Sequence, residues 1–382
     1  MSSINQNQIR ILHITECLSA AGIESFIMNN YRKMDRSKVQ FDFLILRNQE
    51  EFYDSEIQSL GGHKYTICKN DNNTLVRILK ESRELYHFLC KHPYHIIHIH
   101  YTTPLRAPYL FAAKKAGVPV RIYHSHSAEV SGKSKMKIKI YNFMRKKIEK
   151  WATHYFACSN AAAAWIFPEK LCTSHQVKVI YNGIDIQKYS YHESYRKEIR
   201  EELNIGEAFT MVHTGRFLEQ KNHTFIIDVF TELKKKCPKA ILLLLGEGEL
   251  KQSIEEMVMK RNLTDSVHFL NVRSDVHKIL SASDCYIMPS LYEGLPVAAV
   301  EAECSSLPCV LSTNITNEIE LTDKVSFLSL TDSAEIWADE ILKYKGCTRK
   351  DESQVIAQHG YDANQVAQSL QEFYCHMEKK YE

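Results

Sequence analysis

At 382 residues, 44% hydrophobic and 25% charged, the chain is too long for one ordinary domain and matches globular usage, which predicts two domains and excludes disordered, collagen-like and coiled-coil chains. Its 48 Lys and Arg against 46 Asp and Glu give a formal charge of +2, without the global basic field of a nucleic-acid binder, so no nucleic-acid partner is expected. Eleven cysteines, an odd number without a C-x-x-C spacing, read as reduced thiols rather than as a disulfide or zinc framework. The polar start from Met1 to Arg10 lacks a signal-peptide core, and no apolar run approaches the ~18 residues of a membrane span, so a cytoplasmic location is expected.

Short runs rich in Ile, Val, Leu, Phe and Tyr alternate with longer amphipathic stretches, the pattern of parallel β-α-β units. A first series of strands is predicted at Ile9 to Thr15, Val39 to Leu46, His63 to Cys68, His95 to His100, Val120 to His124, His154 to Ser159 and Val177 to Tyr181. A second series is predicted at Thr210 to Thr214, Ala240 to Leu245, Val267 to Leu270, Cys285 to Met288, Cys309 to Leu311 and Val325 to Leu330. The fold class is therefore α/β, with two Rossmann-like doubly wound parallel sheets. The first domain spans residues 1–188, with a terminal helix at 362–382 expected to rejoin it, and the second spans 189–361. Asn182 to Glu207, an Asn-Gly turn followed by the charged stretch Tyr189 to Leu203, reads as the hinge region, and two such domains facing across a cleft would bind ligands beyond their strand ends.

In the first half, Cys17-Leu-Ser-Ala-Ala-Gly-Ile-Glu24 follows a strand with small residues that permit close approach of a ligand, a phosphate-type loop without its lysine. Tyr123-His-Ser-His126 places two imidazoles beyond a strand; one could assist acceptor or leaving-group chemistry and the other fill the core edge. From Lys133 to Lys150 there are eight basic residues and one acidic, interleaved with Met136, Ile138, Ile140, Phe143, Met144 and Ile148. Such a helix suits an anionic membrane surface or a phospholipid-linked acceptor, and equally an amphipathic helix packed on its sheet.

The second half carries the denser chemistry. Arg216 and Lys221, in His213 to Asn222, lie past a strand end where their charges could converge on a diphosphate; separate surface salt bridges are the plainer alternative. Leu245-Gly-Glu-Gly-Glu-Leu-Lys251 has only two of the three glycines of a dinucleotide fingerprint, which disfavours a redox enzyme. In Ser290-Leu-Tyr-Glu-Gly-Leu-Pro-Val-Ala-Ala-Val-Glu301, Gly294 allows a tight turn and Pro296 suits a first helical position. A helix should open near Leu295 and run through Ala302, with amides that suit a phosphate. Glu293 then precedes the helix and Glu301 lies about one and a half turns into it. Both could accept hydrogen bonds from sugar or ribose hydroxyls, or serve only as turn and surface residues.

Gly215-Arg216, Lys221-Asn222, Gly246 and Gly248, Asp284, and Glu293-x7-Glu301 enclosing Gly294-Leu295-Pro296 occur in an order that resembles glycosyltransferase family 4, retaining enzymes of the GT-B fold. The resemblance covers roughly residues 9–345, with Asn182-Gly-Ile-Asp185 at the domain junction. Arg121-Ile-Tyr-His-Ser-His126 and Leu307-Pro-Cys-Val-Leu-Ser312 look most similar to bacterial exopolysaccharide and capsule transferases.

The resemblance implies that Arg216 and Lys221 neutralise the donor diphosphate on the loop opened by Gly215. It further implies that Glu301 binds ribose, Glu293 contacts the transferred sugar, and the amides of Gly294 and Leu295 meet phosphate. Val272 and Arg273 would face the base, Gly22 would approach the phosphates from the first domain, and His124, in competition with His126, would be the catalytic-side histidine. Ala21, Asn271 and Ser306 depart from the family by replacing glycines. The implied reaction moves a hexosyl group, with retention, from a nucleotide-diphosphate sugar, expected to be a UDP-sugar, to a lipid-linked saccharide at the inner membrane face. Arg216, Lys221 and the helix N-terminus would stabilise the departing diphosphate, so neither metal nor cofactor is expected. The two glutamates are not read as a hydrolase pair. The alternatives are an epimerase or phosphorylase of the same fold, or a non-catalytic sugar-nucleotide-binding subunit.

Overall fold

A computed structural model describes residues 8–19, 22–47, 50–67, 73–127 and 135–381. The chain divides into two compact units, one of residues Met1–Gly183 with Ala363–Glu382, the other of Ile184–Asp362.

The first unit holds seven parallel strands: β1 (Ile9–Thr15), β2 (Val39–Ile45), β3 (Lys64–Thr66), β4 (Ile96–Tyr101), β5 (Val120–Ser125), β6 (His154–Ala157) and β7 (Val177–Val179), in the order β3-β2-β1-β4-β5-β6-β7. Every residue of β2 is buried, because helices cover both faces of a parallel sheet and both alternating sets of side chains become core. One layer packs Leu12, Ile14, Ile97, Ile99 and Tyr123 with Leu110, Ile148 and Trp165. The other packs Ile11, Phe41, Ile96 and Ile122 with Phe26 of the Gly22–Lys33 helix and with Val366, Leu370 and Tyr374 of the terminal Ala363–Tyr381 helix.

The second unit holds six parallel strands: β8 (Thr210–Thr214), β9 (Ile241–Leu245), β10 (Val267–Asn271), β11 (Cys285–Met288), β12 (Cys309–Ser312) and β13 (Val325–Leu328), in the order β10-β9-β8-β11-β12-β13. Its core joins Met211, Leu242, Leu244, Ile287 and Val310 to Ile226, Phe230 and Trp337. The winding direction reverses between β8 and β11, and the loops beyond those two carboxyl ends carry Arg216 and Glu293. A switch point of this kind is where doubly wound sheets open a ligand crevice.

All thirteen expected strands are present, with ends shifted by a few residues. Within the expected hinge region, the charged stretch Tyr189 to Leu203 is largely the Glu193–Glu202 helix, whose Arg196 binds Asp284 at 2.8 Å and whose Arg200 donates to the Ala282 carbonyl at 2.7 Å. Two local expectations are corrected. The helix expected near Leu295 opens at Val297, with Pro296 as an extended N-cap at φ −77° and ψ 100°. A proline disfavours helical geometry in the residue before it, which keeps Leu295 out of the helix. Gly22 is not in a loop but opens the Gly22–Lys33 helix. Ala21, Lys133 and Cys68 lie outside the described residues; the basic helix is described as Lys135–Trp151.

Candidate functional site

Glycines bring the first two strand-end loops of the second unit together. Gly246 has φ +136°, and a Cβ there would stand 2.1 Å from the Gly215 carbonyl oxygen; one on Gly248, at φ +158°, would stand 2.5 Å from that of Phe217. Only glycine fits either position. The Gly215 amide donates to the Leu245 carbonyl at 2.9 Å and the Gly246 amide to that of Asn271 at 2.8 Å, so the ends of β8, β9 and β10 form one tied edge.

Onto this edge the β8 loop delivers Arg216, which is exposed and makes no side-chain hydrogen bond or ion pair among the described residues, and Lys221, which makes a close one. Lys221 Nζ lies 2.5 Å from Glu293 Oε1, and Gln220 Nε2 donates to the Tyr292 carbonyl at 2.9 Å and to Glu293 Oε2 at 3.3 Å. The Leu291 amide donates to the Gln220 carbonyl at 2.9 Å, which closes the β8 and β11 loops on each other. Glu293 is thus oriented by a cation and an amide.

Glu301, on the Val297–Cys304 helix, has a different environment. Burial pushes its carboxyl up to about 7, against a hydrogen bond from Tyr189 and the charge of Lys188. The buried Tyr286 hydroxyl bonds Thr214 Oγ1 at 3.1 Å between β11 and β8, and the loop after β11 runs from Glu293 to the helix that carries Glu301. Gly294 and Leu295 form the bend between them. Val272 is exposed beyond β10, while Arg273 is held by Glu202 and Asp275, each at 2.7 Å. Asp284 is a scaffold residue: besides Arg196 it accepts the Thr210 amide at 2.7 Å. Two residues that stand where the family pattern has glycine, Asn271 and Ser306, are left-handed at φ +57° and +53°.

Sequence reasoning passed over three side chains here. His213 Nδ1 donates to the Ile287 carbonyl at 2.8 Å, leaving Nε2 without a partner beside Gly215, and burial holds the ring neutral. Ser290 Oγ is likewise buried and unpartnered among the described residues. Tyr189, at the end of the Ile186–Tyr189 helix, orients Glu301. A strand-end histidine and a serine just before the Glu293 loop were the available signals.

In the first unit, His124 is fully buried on β5 rather than presented beyond it, whereas His126, past the strand end, is partly buried. Both belong to a network with His13, His98 and His100, in which burial keeps the rings neutral.

Two doubly wound parallel units with this strand-end constellation are the architecture of a GT-B glycosyltransferase. The crystal structure of Anabaena Alr3699/HepE in complex with UDP shares the fold, with a TM-score of 0.73 and 16% identity over 96% of this chain and 99% of that one. Residues 20–188 match the family described as Glycosyltransferase Family 4, and residues 195–357 match Glycosyl transferases group 1. The chain belongs to glycosyltransferase family 4. It is 34% identical to the putative glycosyltransferase EpsF of Bacillus subtilis, over 97% of each chain. It is 24% identical to the UDP-Gal:alpha-D-GlcNAc-diphosphoundecaprenol alpha-1,3-galactosyltransferase of Escherichia coli, over 90% of this chain and 92% of that one. It is 25% identical to the capsular polysaccharide biosynthesis glycosyltransferase CapH of Staphylococcus aureus, over 96% and 98%.

Proposed function

We propose that this glycosyltransferase moves a hexosyl group from a UDP-sugar to a lipid-linked saccharide, with retention at the anomeric carbon, in bacterial exopolysaccharide or capsule synthesis. The observation that carries the donor reading is the Lys221–Glu293 ion pair that joins the β8 and β11 loops, with Arg216 on the same β8 loop and Glu301 on the adjoining helix. Arg216 and Lys221 meet the diphosphate, and their attraction grows as the glycosidic bond breaks and charge collects on the leaving group. Protein cations then fill the role that a metal ion plays in other transferases. Glu301 takes ribose hydroxyls, Glu293 takes the sugar, and Val272 with Arg273 borders the base.

The named substrates of relatives support the finer choices: the E. coli enzyme for a UDP-sugar donor and a diphosphoundecaprenol-linked acceptor, HepE for UDP, and CapH for capsular polysaccharide. Retention rests on the family resemblance. None of the described helices is long and apolar enough to cross a membrane. A lipid-linked acceptor would be met at a surface, and the Lys135–Trp151 helix, with Met136, Ile138 and Phe143 exposed among its lysines, suits anionic lipid.

The test is calorimetric titration with UDP, GDP and their sugar conjugates, with and without EDTA, repeated on Glu301→Ala. Binding of uridine nucleotides that survives EDTA and is lost in the variant is expected. Absence of binding by any nucleotide overturns the donor site. Donor turnover without an acceptor would indicate an epimerase or phosphorylase, and tight UDP binding without transfer to any acceptor a non-catalytic subunit.

A further inference from the structure

Five histidines share one face of three neighbouring strands in the first unit: His13 on β1, His98 and His100 on β4, His124 on β5, and His126 just beyond it. Residues two apart on a strand point to the same side, and the parallel register sets His13 beside His98 and His100 beside His124.

The rings are linked in two chains. The Tyr374 hydroxyl meets His98 Nδ1 at 2.7 Å and His98 Nε2 meets His124 Nδ1 at 3.1 Å, leaving His124 Nε2 buried without a partner. His13 Nδ1 meets His100 Nε2 at 2.9 Å, and His100 Nδ1 meets His126 Nε2 at 2.9 Å. A neutral imidazole has one donor and one acceptor nitrogen, so the first chain must end on His124 Nε2 with either an N–H or a lone pair unused. In the tautomer that leaves the lone pair unused, this orphaned buried nitrogen, beside two further imidazoles, can bind an electron-pair acceptor.

We propose that His100, His124 and His126 bind a divalent transition-metal ion of the zinc class, through His100 Nδ1, His124 Nε2 and His126 Nε2, with a fourth position open to water. One ring nitrogen from each of these residues lies within 4.8 Å of the others. A tetrahedral ion with metal–nitrogen bonds of about 2.0 Å sets its ligands roughly 3.3 Å apart, close to the present separation of His100 Nδ1 and His126 Nε2. His124 Nε2, buried and unpartnered, supplies the third ligand.

Two of the three nitrogens not assigned to the ion are already engaged where a metal site needs them to be. His124 Nδ1 is steadied by His98, itself held by Tyr374, and His100 Nε2 is steadied by His13. The Phe26 ring, 5.1 Å from that of His124, walls one side, and His126 is only partly buried. Three imidazoles without a carboxylate or thiolate favour zinc, cobalt, nickel or copper over magnesium or calcium. The site belongs to the first unit, whereas Lys221 and Glu293 belong to the second.

The experiment uses tag-free, full-length protein stripped with chelator and then titrated with Co²⁺ and Zn²⁺. One Co²⁺ per chain, with the intense visible absorption of a tetrahedral nitrogen-ligated ion, and a rise in Tm with Zn²⁺ are expected. His126→Gln, placed after the strand end, should abolish the cobalt absorption, and Tyr374→Phe should weaken binding about 10- to 100-fold by loosening His98. No stoichiometric binding by folded wild-type protein overturns the site. So does cobalt binding unchanged in both variants, or binding that appears only when UDP is added, which would put the ion on the diphosphate.

Discussion

Lys221 Nζ and Glu293 Oε1, 72 positions apart in sequence, stand 2.5 Å from each other because β8 and β11 are neighbours in the sheet. Under the proposed donor reading, a diphosphate competes with Glu293 for the ammonium. Arg216→Ala and Lys221→Ala should each lower turnover by about 10²-fold, the scale of one donor aimed at developing charge. Lys221→Met combined with Glu293→Gln removes both charges without stranding either. Steady-state kinetics should find this pair no faster than Lys221→Met alone; recovery would reduce the ion pair to a structural tie.

Glu303, on the same helix as Glu301 but outside the donor assignment, offers a pH test. Its Oε2 accepts the Leu321 amide at 3.1 Å, the Thr322 amide at 2.9 Å and the Thr322 hydroxyl at 3.0 Å, while Oε1 has no partner and burial pushes the carboxyl up to about 8. The folded state therefore holds a proton that the unfolded chain gives up near the ordinary carboxylate value. Its contribution to stability is full at low pH and declines as pH climbs toward about 8. Glu303→Gln copies the protonated form, so the Tm of the variant minus that of wild type should grow between pH 5 and 8 and then level off. A difference independent of pH would show that Glu303 does not titrate in this range.

Gly246 and Gly294 make a contrasting pair. Alanine at Gly246 would press on the Gly215 carbonyl, whereas a Cβ at Gly294 meets no atom within 4 Å. Gly246→Ala should cost about 1–3 kcal/mol in urea unfolding and weaken UDP binding, because the β8 and β9 loops must part. Gly294→Ala should leave the urea midpoint near that of wild type. Equal stability of the two variants would contradict the loop geometry.

The exposed face of the Lys135–Trp151 helix predicts salt-sensitive membrane binding. Replacing Lys135, Lys139, Lys146 and Lys147 by Gln should weaken association with vesicles containing phosphatidylglycerol, most visibly at low ionic strength. Equal sedimentation of wild type and variant with those vesicles would remove this surface from the acceptor reading.

The strands were legible because burial on both faces writes them as unbroken apolar runs, as in Val39–Ile45. Arg216, Lys221, Glu293 and Glu301 were legible as local motifs beside strand ends, yet their pairing was not, since it depends on which strands become neighbours. The same gap hid the histidine network. In His95-Ile-Ile-His-Ile-His100 the two-residue spacing put His98 and His100 on one face, but only the strand order brings them to His13 and His124. Asn271 and Ser306 show the reverse: flagged as replaced glycines, they retain the left-handed backbone that glycine suits, and each adds a side-chain bond, Asn271 with Lys251 and Ser306 with Lys324.

The Ala363–Tyr381 helix supplies Val366, Leu370 and Tyr374 to the core around β1 and β4, although synthesis begins at the other end of the chain. The unit that leaves the ribosome first is therefore the last to be sealed. Its sheet waits, with one apolar flank covered only in part, while some 180 intervening residues are made, so its exposure in the cell is set by the time of translation as well as by its own stability.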